Sequence, residues 1–227
     1  MKQHDEHISG NSVNLIEGFV LAGGESRRMG RSKPNLWLGG KKLLDRAANT
    51  LSRIADPIYA VGNLTADVTS LPIIKDELVG SNTRGAIIGL YTALFHAKTE
   101  WVAILACDLP FVNEELLIRM RSIVEQFADS PDNSADTVFA EQPDGRIQPL
   151  CGLFRPHHCL PEVRKMITEG NWRLQNLATR LNTRILNFAE YEDLRGTNRF
   201  FLNVNKPDDY LTAIEYERTS PIIDQLD

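Results

Sequence analysis

Short, mainly apolar runs alternate with longer segments whose apolar positions recur at helical spacing. IEGFVLA at 16–22, PIYAV at 57–61, LPII at 71–74 and WVAILA at 101–106 are continuous runs bounded by Gly, Pro or Asp, and they predict strands, the last being the clearest buried one. Between them, residues 42–54 place Leu43, Leu44, Ala47, Ala48 and Leu51 on one helical face. Residues 85–97 predict a mostly apolar helix and 114–127 an amphipathic one. SPDNSA at 130–135 is a turn-rich break. Beyond it the pattern predicts strands near 136–140 and 148–154, helices around 161–169 and 173–181, strands at 183–188 and 200–204, and a last helix at 207–216. There is no internal repeat and no low-complexity segment. The alternation predicts a single α/β domain, a mainly parallel sheet with helices on both faces. It spans 15–217, with polar tails at 1–14 and 218–227 and halves meeting near 128–136.

In such sheets ligands bind beyond the carboxyl ends of the strands, so the loops after Ala22, Ile74 and Ala106 come first. After the first strand the chain reads LAGGESRRMGRSK. Paired glycines allow a sharp turn with N–H groups aimed at an anion. Arg27, Arg28, Arg31 and Lys33 supply cationic donors suited to phosphate oxygens. Neither GxxxxGK[ST] nor GxGxxG fits, which sets aside the common ATPase loop and the dinucleotide fingerprint. The alternative is a surface turn with solvated charges.

Charge and composition narrow the ligand. The chain has 227 residues, is 42% hydrophobic and carries a formal net charge of −5, which argues against a general nucleic-acid binder but not against a small anion at a locally basic loop. No apolar run approaches the roughly 20 residues of a membrane span, and the polar start has no signal-peptide segment, so a cytoplasmic location is expected. Three cysteines without CxxC spacing fit neither a disulfide framework nor a zinc site. His157, His158 and Cys159 read as ordinary loop or helix-start residues.

Asp108 follows the buried strand at 101–106, where a carboxylate needs compensation. Magnesium, which takes one or two carboxylates plus phosphate oxygens and water, would supply it. A helix cap or a salt bridge to a loop arginine are the alternatives, although Asn113 is the better-placed cap. Asn63 and Asp76 also follow strands at the ligand edge. Either could contact a nucleoside or form a turn.

Five segments, in order, carry a resemblance. They are LAGGESRRMGRSK, Arg84 to Leu90 (RGAIIGL), CDLP from Cys107 to Pro110, QPLCGLF from Gln148 to Phe154, and NVNKP from Asn203 to Pro207. Together they resemble the molybdenum cofactor guanylyltransferase family of nucleotidyltransferases, over about 17–212. The chain departs from that pattern at Ser32, Ala86 and Lys206, where the family has aspartate, proline and threonine. The resemblance implies a Rossmann-like three-layer fold of the nucleotide-diphospho-sugar-transferase type, and transfer of GMP from GTP to molybdenum-bound molybdopterin with release of pyrophosphate. Related families use CTP, or a cobamide precursor or sugar-alcohol phosphate as acceptor. The double glycine of LAGG favours the guanylyl branch, and a non-enzymatic nucleotide-binding module would be expected to have lost Asp108. The implied roles are Leu21, Ala22, Gly23 and Gly24 on the nucleotide through backbone groups, Arg28 and Lys33 on the departing phosphates, Asn63 and Asp76 on the nucleoside, and Asp108 on Mg2+. In the half at 136–217, Gln148, Arg173, Asn203 and Asn205 are implied for the pterin acceptor. A molybdate-insertion protein or a target molybdoenzyme is the kind of protein partner the resemblance allows.

Overall fold

Two runs with no polar face end up side by side in the middle of the sheet, where both faces are covered. The computed structural model describes residues 15–23, 33–77, 79, 85–129 and 135–219. Along them run β1 (Ile16–Leu21), β2 (Trp37–Leu38), β3 (Lys41–Lys42), α1 (Leu43–Leu51), β4 (Ile58–Val61), β5 (Ile73–Ile74), α2 (Ala86–His96), β6 (Trp101–Ala106), α3 (Glu114–Asp129), β7 (Thr137–Glu141), β8 (Ile147–Phe154), α4 (Pro156–Thr168), β9 (Thr183–Leu186) and α5 (Pro207–Thr219). The main sheet has the order β5-β4-β1-β6-β8-β7-β9. Only β8 runs against its neighbours, pairing antiparallel with β6 and β7.

Period-2 alternation divides the central strands between two cores. Ile16, Val20, Ala22, Trp101, Ala103 and Leu105 pack with α1 and α3 on one face. Phe19, Leu21, Val102 and Ile104 pack with α2, α4 and the turn around Leu174 and Leu177 on the other. The result is three layers, α/β/α. Among the described residues no helix is long and apolar enough to cross a membrane.

Departures from the sequence expectation have local causes. The β2–β3 hairpin was not expected. Gly39 and Gly40 form its turn with φ of +57° and +81°, the left-handed pair that a two-residue hairpin uses. The helix expected from 161 begins at Pro156, whose fixed φ suits a first helical position, and Pro161 lies inside it. His157, His158 and Cys159 fall in its first turn. The helix expected at 173–181 is a 3₁₀ turn, Leu174–Thr179, with Leu174 and Leu177 buried, the three-residue spacing that a 3₁₀ turn stacks. The strand expected at 200–204 is irregular chain. Its apolar residues act as anchors: Phe200 stacks on Tyr191 with centroids 6.2 Å apart, and Val204 joins Leu36, Leu38, Leu43, Phe111 and Ala213 in a third core. That core docks α5 beside β2, so the end of the chain returns to its first half.

Candidate active site

The carboxyl ends of β5, β4, β1 and β6 lie side by side, because all four strands are parallel. Backbone hydrogen bonds continue past the strands. Ala22 N–H donates to Val61 O at 2.9 Å, Gly62 N–H to Ile74 O at 3.0 Å and Cys107 N–H to Leu21 O at 3.0 Å. These bonds hold the loop starts at Gly23, Gly62, Asp76 and Asp108 in one row.

At the β4–β5 end the backbone closes tightly. Gly62 has φ +145°, and a Cβ there would lie 2.8 Å from the Gly23 nitrogen. A Cβ on Gly23 would lie 3.3 Å from Asp76 Oδ2. Asp76 Oδ1 is buried without a hydrogen-bond partner, and burial raises the Asp76 carboxyl above the ordinary carboxylate range. A buried acceptor left unpaired is one a ligand donor can satisfy. Asn63 is exposed one residue beyond Gly62.

At the β6 end, Lys33 Nζ lies 3.3 Å from Asp108 Oδ2 and donates to Asn205 Oδ1 at 2.5 Å. Lys33 is the first residue of a 3₁₀ turn leading into β2. Asp108 follows β6, and Asn205 stands just before α5. The three side chains thus come from distant parts of the chain. Val204 N–H donates to Asp108 O at 2.9 Å, which ties the last segment to the aspartate. Asp108 is not a cap; Asn113 caps α3, its Oδ1 accepting from Leu116 N–H at 3.0 Å. Among the described residues Asp108 pairs with Lys33; the loop arginines considered as an alternative lie outside the described residues.

Burial pushes the Asp108 carboxyl above its usual range, and the Lys33 ammonium opposes that rise. Oδ1 of Asp108 is buried with no partner. An orphaned carboxylate oxygen beside a cationic loop fits a divalent cation. No group of three His, Cys, Asp or Glu side chains gathers among the described residues, so such an ion would draw most of its ligands from phosphate and water.

The remaining expected positions divide. Leu21, Ala22 and Gly23 lie at the end of β1 as described. Gly24, Arg27, Arg28, Arg31, Ser32 and Arg84 lie outside the described residues. Asn203 Oδ1 is buried without a partner, two residues before Asn205. Gln148 is the second residue of β8. Cys151 pairs with Leu105, so the register carries Gln148 past the end of β6 at the same edge. Arg173 is exposed at the start of the Leu174–Thr179 turn. Sequence reasoning missed one neighbour of the Lys33–Asp108–Asn205 group and one ion pair that ties α5 to the first half of the chain. Asp209 accepts from the N–H groups of Asn205 and Lys206; an acid at the third position of a helical pattern was the available signal. Arg46 donates to both Glu217 oxygens, to Leu38 O and to Pro110 O, and no local pattern marks a pair 171 residues apart.

Comparison with known proteins finds relatives over most of the chain. A family model described as the MobA-like NTP transferase domain matches residues 18–184. The chain is 32% identical over 192 residues to a probable molybdenum cofactor guanylyltransferase of Carboxydothermus hydrogenoformans, covering 84% of this chain and 91% of that one. It is 31% identical over 215 residues to a protein of the same description from Nostoc sp., covering 92% and 96%. The crystal structure of molybdopterin-guanine dinucleotide biosynthesis protein A from Archaeoglobus fulgidus shares the fold with a TM-score of 0.71 at 23% identity, covering 90% of this chain and all of that one.

Proposed function

The chain belongs to the MobA-like NTP transferase domain family, and on that premise we propose that it transfers GMP from GTP to molybdenum-bound molybdopterin, giving the guanine dinucleotide and pyrophosphate. The observation that carries this reading is the convergence of Lys33, Asp108 and Asn205 at the end of a row that begins with Gly62, Gly23 and Asp76. From β5 to β6 the row spans three inter-strand steps, about 14 Å, room for a nucleoside at one end and phosphates at the other.

The nucleophile is a phosphate monoester oxygen of the pterin. Its second pKa is about 6, so it needs no strong general base. It attacks the α-phosphorus of GTP; a new P–O bond forms, the α–β bridging P–O bond breaks, and pyrophosphate leaves with the electron pair. What the reaction demands is alignment of two anions and stabilisation of the charge that grows on the departing group. Asp76 and Asn63 orient the nucleoside. Backbone groups from Leu21 to Gly24 line its approach, with Gly23 leaving space beside Asp76. Lys33 and Arg28 hold the departing phosphates. Asp108 would hold Mg2+, which would neutralise phosphate charge. Gln148, Arg173, Asn203 and Asn205 are assigned to the acceptor, Asn205 also meeting the phosphate end through Lys33, and the orphaned Asn203 Oδ1 offers an acceptor to a ligand donor.

A panel of GTP, CTP, ATP and UTP with Mg2+ and molybdenum cofactor, read by pyrophosphate release, tests the choice of nucleotide. Release with GTP alone supports the reading. Release with CTP in its place would move the chain to the cytidylyl branch.

A further inference from the structure

We propose that Asp209 is a positioning residue for the phosphate end of the site, acting through Asn205; this rests on the reading of Lys33 and Asp108 as that end. Lys206 directly precedes α5, and lysine has no side-chain acceptor with which to cap a helix. The exposed N–H groups at this helix start turn instead to Asp209, three residues on. Its Oδ2 accepts from Asn205 N–H at 2.9 Å and from Lys206 N–H at 2.8 Å, the back-reaching half of a capping box.

This bond pair fixes the backbone between two contacts with the site. On one side Val204 N–H donates to Asp108 O at 2.9 Å. At Asn205 itself the side-chain Oδ1 receives the Lys33 ammonium at 2.5 Å. Asp209 reaches the site by way of the Asn205 N–H, and it is through Asn205 that it acts on phosphate. Asn205 is exposed, so packing does not hold it, and the carboxylate is what sets its position.

The test is calorimetric binding of magnesium pyrophosphate, and separately of magnesium GTP, to the full chain and to Asp209→Ala, Asp209→Asn, Asn205→Ala and the Asp209→Ala/Asn205→Ala double variant. Asp209→Ala should weaken pyrophosphate binding about fivefold, the effect of losing a helix cap. Asp209→Asn, which keeps an acceptor oxygen in place, should restore most of that loss. The double variant should bind no more weakly than Asn205→Ala alone, because residues acting through one another are not additive. Additive losses, or full affinity in Asp209→Ala, would overturn the proposal and leave Asp209 a helix cap only. Pyrophosphate binding that follows this pattern without preference for GTP would sink the nucleotide reading and leave the positioning role standing. Binding of neither ligand would overturn both.

Discussion

Asp108→Asn should make the ligand-free protein more stable while removing its response to substrate. Oδ1 of Asp108 is buried and unpaired, and leaving a buried polar group unsatisfied costs about 1–3 kcal/mol, more when it is charged. The opposing gain is the Lys33 contact at 3.3 Å, with side chains 19% and 20% exposed, worth at most about 1 kcal/mol. Neutralising the carboxylate should therefore stabilise the free chain by on the order of 1 kcal/mol, or about 2–4 °C in Tm for a domain of this size. The pH dependence follows from the direction of the shift. Burial raises the folded-state pKa above the ordinary value of 3.8, so the folded chain keeps this proton after the unfolded chain has lost it. Stability falls as pH rises from near 3.8 through the raised value, and the amide variant lacks that slope. The advantage of Asp108→Asn should accordingly grow from acid to neutral pH. Differential scanning calorimetry with and without saturating magnesium GTP reads both effects. At a hundred times Kd the wild type should gain about 2.7 kcal/mol from ligand, and the variant little of it. A fall in Tm of ligand-free Asp108→Asn at pH 7 would refute the reasoning, because the carboxylate would then be a net structural ion pair.

Two other substitutions probe how the site is held. Gly62→Ala places a Cβ 2.8 Å from the Gly23 nitrogen at a φ of +145°; it should destabilise the fold by about 1–3 kcal/mol and, by pushing Gly23 away from Asp76, weaken GTP binding more than pyrophosphate binding, as measured by calorimetry. Glu217→Ala removes the partner of Arg46 at 3.1 Å, where the two side chains are only 12% and 10% exposed. The guanidinium keeps the Leu38 and Pro110 carbonyls but loses its counter-charge, at a cost of about 1.5–3 kcal/mol, so Tm should fall by roughly 3–12 °C, whereas Glu217→Gln should recover part of the loss.

The α/β alternation was legible because β1 and β6 have no polar residue facing a solvent side and α1 shows a clean apolar stripe. The ligand edge followed from topology alone, and Lys33 and Asp108 lie on it because they follow β1 and β6. What the sequence hid was distance along the chain. Nothing local says that Asn205 would meet Lys33, 172 residues away, since the docking of α5 depends on a third core assembled from Leu36, Leu38, Phe111 and Ala213. The run at 200–204 has the apolar content of a strand, but Phe200 and Val204 are drawn into separate cores, and tertiary packing overrides that local preference. In the hairpin at 37–42 the Gly-Gly signal was present, but only two residues flank it on each side, too few for a periodic pattern.

The most direct measurement is incubation of the protein with GTP, Mg2+ and molybdenum cofactor, followed by mass detection of the product. The account predicts molybdopterin guanine dinucleotide and an equal amount of pyrophosphate, with neither formed by Asp108→Ala. Unmodified cofactor beside intact GTP, or undiminished product from Asp108→Ala, would contradict it.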